Sequence, residues 1–103
     1  MSVGIEVDRQ KIAEFCEKWK ITEFSLFGSV LTDDFRPDSD VDVLVRFGPD
    51  AHWSLFDMVG MELELQDLFG RKVDLVSRRG VEASRNPLRR AAILSSAQVI
   101  HAA

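Results

Sequence analysis

The sequence predicts an α/β fold, and three observations lead there. Short apolar runs of strand character lie at 23–27, 41–47 and 72–76, bounded by turn residues. Stretches of helical period lie at about 8–20, at 55–69 and from Asn86 onward. The chain has 103 residues, which suits a single domain (1–103) able to bury about two thirds of its extended-chain surface.

Taken in order, Asp8 is a natural N-cap for the first helix, with Val7 and Ile12 placed as a hydrophobic staple. Ile12, Phe15, Cys16 and Trp19 follow the i, i+3, i+4, i+7 spacing of one buried stripe. Glu23 to Phe27 form the first strand and lead into a Gly28-Ser29 corner. The second strand, about Val41 to Phe47, turns Val41, Val43 and Val45 to one side and Asp42, Leu44 and Arg46 to the other, and Gly48-Pro49-Asp50 ends it. His52 and Trp53 lie in the loop that follows, where Trp53 either stacks on a base or anchors the loop.

Ser54 caps a helix from about Leu55 to Phe69 that Gly70 closes. At about 100° per residue, its polar face holds Asp57, Gly60, Glu64 and Asp67, and its apolar arc holds Leu55, Phe56, Met58, Val59, Leu63, Leu65 and Phe69. Glu62 and Gln66 fall inside that arc. A carboxylate there is costly to bury unpaired, so either it reaches a base such as Arg46 or this face docks another protein. Lys72 to Val76 form the third strand around Asp74, an acid that is rarely buried without a partner. Asn86-Pro87 opens the last helix, with Leu88, Ala91, Ala92 and Ser95 as a small packing face and Arg89 and Arg90 outward.

Composition narrows the function classes. No stretch reaches the apolar length of a membrane span, and no basic-then-apolar leader opens the chain. The single Cys16 cannot form an internal disulfide, which fits a reducing cytoplasm, and two histidines with one cysteine make no zinc cluster. The net charge of −4 hides an asymmetry: residues 1–70 carry 15 acids and 6 bases, residues 71–103 carry 2 acids and 7 bases. The acidic majority does not favour nucleic-acid binding. The basic third (Arg71, Lys72, Arg78, Arg79, Arg85, Arg89, Arg90) either meets phosphates or an acidic partner, or is a solvated face.

The chemistry concentrates between Leu26 and Val45. Asp40 and Asp42 sit two apart at the start of a strand, so their carboxylates converge on one face. Carboxylates held that close repel unless a cation lies between them, and hard oxygen ligands suit Mg²⁺ bound together with substrate phosphates. Gly28 lets backbone approach a ligand closely, and amides opening the next turn suit an anion. Asp74, set beside the second strand, can join as a third carboxylate, or pair with Lys72 or Arg71 at a strand edge. Arg36 either contacts a phosphate or pairs with a neighbouring aspartate.

The pattern Gly28-Ser29, ten residues, then Asp40-Val41-Asp42 resembles the signature of the DNA polymerase β-like nucleotidyltransferases, and most closely their MNT (minimal nucleotidyltransferase) branch. Gly70-Arg71-Lys72-Val73-Asp74-Leu75-Val76 is similar to the strand bearing that family's third acid. The resemblance covers roughly residues 22–101, with the helix at 8–20 preceding this catalytic palm, and it implies a small mixed β-sheet with helices packed mainly on one face and a terminal strand at Gln98 to His101. It implies that Asp40, Asp42 and Asp74 hold Mg²⁺ (or Mn²⁺), that Gly28 and Ser29 bind ATP phosphates, and that Asp74 also helps activate the attacking hydroxyl. It further implies an antitoxin that transfers AMP to a hydroxyl, typically of a tyrosine, on a HEPN-family RNase toxin. Two alternatives stay open, an antitoxin acting by stoichiometric masking and a nucleotidyltransferase acting on a small molecule. Many relatives place a basic residue shortly after Gly-Ser; Val30-Leu31-Thr32 stands there here.

Overall fold

The computed structural model describes residues 7–28 and 40–102. Ser29, Arg36 and the turn expected over 30–39 lie outside the described residues. Helix α1 (Arg9–Trp19) starts where Asp8 accepts a hydrogen bond from the Lys11 amide, and it buries Ile12, Phe15 and Cys16. It ends at Lys20, whose left-handed backbone (φ 56) lets β1 (Ile21–Phe27) begin one residue later. That tight corner starts the strand earlier than its apolar run suggested. β2 (Val41–Phe47) follows, then α2 (Leu55–Phe69), β3 (Val73–Ser77), α3 (Arg78–Glu82), α4 (Pro87–Ser96) and β4 (Gln98–Ala102).

The sheet is four-stranded and mixed, in the order β3-β2-β1-β4. β1 runs antiparallel to both β2 and β4, and β3 is parallel to β2. Alternation along β2 holds as expected: Val41, Val43 and Val45 enter the main core with α1 and α2, and Leu44 enters a smaller cluster on the other side. The main core therefore lies between the sheet and the two longest helices. The smaller cluster joins Phe27 and Leu44 to Val81 of α3 and Ile93 of α4. α3 was not legible as a helix, because five residues cannot display a helical period.

Both ends of α2 fall where the capping residues placed them. Ser54 and Asp57 form a reciprocal capping box, and Gly70 closes the helix with φ 70. Its packing is rotated from the expected polar–apolar division. Met61 and Leu65 are fully buried, with Met58, Leu68 and Phe69 packed beside them; each of the two buried chains contributes about 1.5–3 kcal/mol. Glu64, expected on the polar face, turns to α1, where it accepts from Trp19 Nε1 (2.9 Å) and pairs with Lys18 (3.2 Å). The other half of the apolar arc is left in solvent: Leu55 is 80% and Phe56 90% exposed, and Val59 and Leu63 are exposed beside them.

α4 begins at Asn86 with Pro87 in its first turn, as expected. Its proposed small-residue face is corrected by the structure. Leu88, Ala91, Ala92 and Ser95 are exposed, whereas Ile93 is buried and Leu94 and Ala97 pack beside it. Ile93 and Leu94, rather than Leu88 and the alanines, set which side of α4 faces the sheet.

Candidate active site

β1 runs directly into the corner. Gly28 has φ +78, a conformation side chains resist. Its neighbour across the sheet pair is Asp42, opposite Phe27 in the β1–β2 register. A Cβ added at Gly28 would collide with the Asp42 carboxylate, with Asp42 Cγ at 3.2 Å and Cβ at 3.5 Å. Backbone angle and close approach thus both require glycine here. The expected phosphate contacts of Ser29 and Arg36 lie outside the described residues.

β2 and β3 align Asp42 directly with Asp74. Parallel neighbours stand about 4.8 Å apart with paired side chains on the same face, so these two carboxylates converge. Asp40, exposed, stands two positions before Asp42. Half-buried Asp42 is the centre of the group. Burial raises its carboxyl above the ordinary 3.8, and the charges of Asp74 and Asp40 raise it further. Asp74 itself is exposed on the edge strand β3. An edge strand leaves one flank open, and Asp74 stays hydrated.

The fit to a cation follows from these donors. Among the described residues no three acidic or imidazole groups make a ready-formed metal cage. The arrangement is an open one, two aligned carboxylates with a third nearby, against a backbone stripped of side chain at Gly28. Mg²⁺ is commonly held in this way, by one or two carboxylates with phosphate oxygens completing the shell.

Arg89 was missed by the sequence reading, which turned it outward. Its positive charge acts on Asp42, opposing the rise caused by the two acids. The signal was available in its spacing: Arg89 is one turn before Ile93, the residue that seats α4 on Phe27 and Leu44. Arg90, also expected outward, is half-buried and donates to the carbonyls of Glu82 (3.4 Å) and Ser84 (3.3 Å).

Glu62 and Gln66 are both half-buried on α2, away from these carboxylates, and among the described residues Glu62 makes no salt bridge, to Arg46 or any other base. Trp53 anchors its loop: Nε1 donates to the Trp19 carbonyl (2.8 Å), and the two indoles meet edge to face at 5.1 Å. Cys16 is buried, and desolvation pushes its thiol up to about 12, so it is no nucleophile. A cleft of about 550 Å³ lies at the far end of β2, around Arg46, Trp53 and Arg79. It has no converging carboxylates and is not the candidate centre. Among the described residues no helix is long and apolar enough to cross a membrane.

Comparison with known proteins agrees with this geometry. The family profile described as Nucleotidyltransferase domain matches residues 9–100, so the likeness includes α1. A protein of Methanocaldococcus jannaschii, provisionally named a protein adenylyltransferase, is 32% identical over 95 residues, covering 92% of this chain and 96% of that protein. Protein adenylyltransferase MntA of Thermococcus cleftensis is 34% identical over 70 residues, 68% of this chain and 69% of that protein. A chain in the solved complex of tri-AMPylated Shewanella oneidensis HEPN toxin with MNT antitoxin shares the fold, with a TM-score of 0.64 at 18% identity over 92% of this chain and 70% of its own. With the Gly28 corner and the aligned aspartates in place, and the family profile spanning nearly its whole length, the chain belongs to the nucleotidyltransferase domain family.

Proposed function

We propose that the protein is an antitoxin nucleotidyltransferase that transfers AMP from ATP–Mg²⁺ to a hydroxyl, a tyrosine's, of a partner HEPN RNase toxin and so neutralises it. The observation that carries this is the alignment of Asp42 with Asp74 beside a glycine corner that only hydrogen can occupy. The names of the relatives supply the group transferred and the class of acceptor. α1 and the palm act as one domain, in the cytoplasm, where an unpaired buried Cys16 is at home.

Asp40, Asp42 and Asp74 would hold the metal, with Gly28 and Ser29 at the β- and γ-phosphates and Arg36 as a further phosphate contact. When bound, the cation neutralises phosphate charge and holds the reacting oxygens in line. The chain's own contribution is placement. The Gly28 corner admits the phosphates close to backbone, and Asp42 fixes the donor side. Asp74, hydrated on the open edge strand, orients the acceptor hydroxyl and takes up its proton. The acceptor oxygen bonds to the α-phosphorus as the α–β bond breaks, and pyrophosphate leaves with the electron pair.

The acceptor protein needs a surface, and the solvent-exposed half of α2's apolar arc, bordered by Glu62 and Gln66, is the proposed docking face. Glu62→Arg is expected to weaken the complex with the toxin and to leave the cooperative melt intact, because a reversed charge in a close-fitting surface is strongly unfavourable. Loss of the melt instead would assign Glu62 to the fold.

Masking the toxin without chemistry would use the same exposed face, so the deciding test is covalent. Mass spectrometry of the toxin after incubation with ATP and Mg²⁺ should find added AMP. Asp42→Asn should abolish it by about a thousandfold or more, since metal stabilisation of a phosphoryl transition state is worth several kcal/mol. An unmodified toxin, neutralised equally by wild type and Asp42→Asn, would replace transfer with masking.

A further inference from the structure

We propose that Arg89, reaching from α4, supplies a guanidinium, additional to Arg36, that faces the phosphates of the bound nucleotide. The assignment rests on the nucleotidyltransferase reading and adds to it a residue far in sequence from the Gly28–Asp42 stretch.

α4 is seated on the sheet by Ile93, which packs with Phe27 and Leu44. Phe27 lies opposite Asp42 in the β1–β2 register, and Leu44 is two residues beyond Asp42 on the same face. Arg89, four residues before Ile93, leaves α4 from the side that faces the sheet. With Arg90, whose guanidinium is turned to the carbonyls of Glu82 and Ser84, it lines a cavity of about 250 Å³ over Val76 and Ile93. Val76 is two residues past Asp74, so this cavity adjoins the carboxylates on their own face of the sheet.

Arg78 is committed to Glu23 (3.3 Å) and Glu82 (3.0 Å), and Arg90 to the carbonyls closing α3. Among the described residues Arg89 makes no salt bridge and is exposed. No basic residue occupies 30–35, the stretch immediately after Ser29. A guanidinium arriving from α4 can provide a charge-assisted, bidentate phosphate contact that this stretch does not.

The position carries an electrostatic signature. A guanidinium beside metal-binding carboxylates opposes a bare cation, but it favours a cation that arrives with polyphosphate. Removing it should therefore move the two affinities in opposite directions. In calorimetric titrations of the full chain, Arg89→Gln should bind ATP–Mg²⁺ at least about tenfold more weakly than wild type. It should bind Mn²⁺ alone as tightly as wild type or more tightly. Arg89→Lys should recover part of the ATP–Mg²⁺ affinity. Arg90→Gln, which cuts the contacts to Glu82 and Ser84, should melt at lower temperature and keep wild-type ATP–Mg²⁺ affinity. Equal ATP–Mg²⁺ affinity in wild type and Arg89→Gln overturns the assignment alone. So does a parallel loss of Mn²⁺ affinity, which would mark Arg89 as a prop for the carboxylates. A wild-type protein that binds no ATP–Mg²⁺ overturns the nucleotidyltransferase reading and this assignment with it.

Discussion

Replacing Gly28 with alanine tests the corner and the carboxylate together. Two costs follow from the geometry. At φ +78 any side chain meets its own backbone, a left-handed penalty of about 1–2 kcal/mol. The new methyl also displaces the Asp42 carboxylate, whose Cγ would stand 3.2 Å away, and turning a side chain off its preferred rotamer costs about 0.5–1.5 kcal/mol. The sum is about 1.5–3.5 kcal/mol. Gly70 is the internal control, since its φ is +70 and nothing lies within 4 Å of its added Cβ; Gly70→Ala should show the backbone penalty alone. Chemical denaturation in EDTA reads both variants. The excess of Gly28→Ala over Gly70→Ala, about 1 kcal/mol, should vanish in an Asp42→Ala background, because the displaced oxygens are gone. That non-additivity is the coupling of touching residues. Equal costs for the two alanines, additive with Asp42→Ala, would refute the contact between corner and carboxylate.

Two further predictions concern charge and backbone. Asp42 has a raised carboxyl, so above its ordinary 3.8 the folded chain binds more protons than the unfolded one, and stability falls as pH rises from there through the raised value. Without metal, Asp42→Asn should be more stable than wild type at neutral pH and lose that advantage below about pH 3.8; an advantage that grows on acidification would contradict the repulsive cluster. Lys20→Gly relieves a left-handed non-glycine residue at the α1 cap (φ 56) and should stabilise by about 0.5–1 kcal/mol, a rise of roughly 2–8 °C in melting temperature. A lower melting temperature would mean the Lys20 side chain contributes more than its backbone costs.

What the sequence revealed and what it hid have separable causes. The caps Asp8, Ser54 and Asn86 act within one helical turn, so the helix starts they imply were readable without tertiary knowledge. The expectation that Asp40 and Asp42 converge needs only strand alternation. Aligning Asp74 with Asp42 required β3 to lie parallel beside β2, which residue spacing does not specify. α2 shows the limit most plainly. Its apolar arc is wide enough for two surfaces, and periodicity cannot tell the half that covers the sheet, through Met61 and Leu65, from the half that meets solvent at Phe56 and Leu63. Arg89 was hidden similarly, since the small residues of α4 suggested a packing face that Ile93 takes instead.

The Trp19–Trp53 contact has a use beyond holding a loop. These are the chain's only two tryptophans, and it has no tyrosine. Two indoles at 5.1 Å couple electronically, so their near-ultraviolet dichroism and shared emission form one optical signal tied to the join between α1 and the loop before α2. That signal reports whether the fold is assembled. In a mixture with a partner protein, any tyrosine absorption, or any tyrosine carrying a modification, belongs wholly to the partner, and self-modification at tyrosine is excluded by composition.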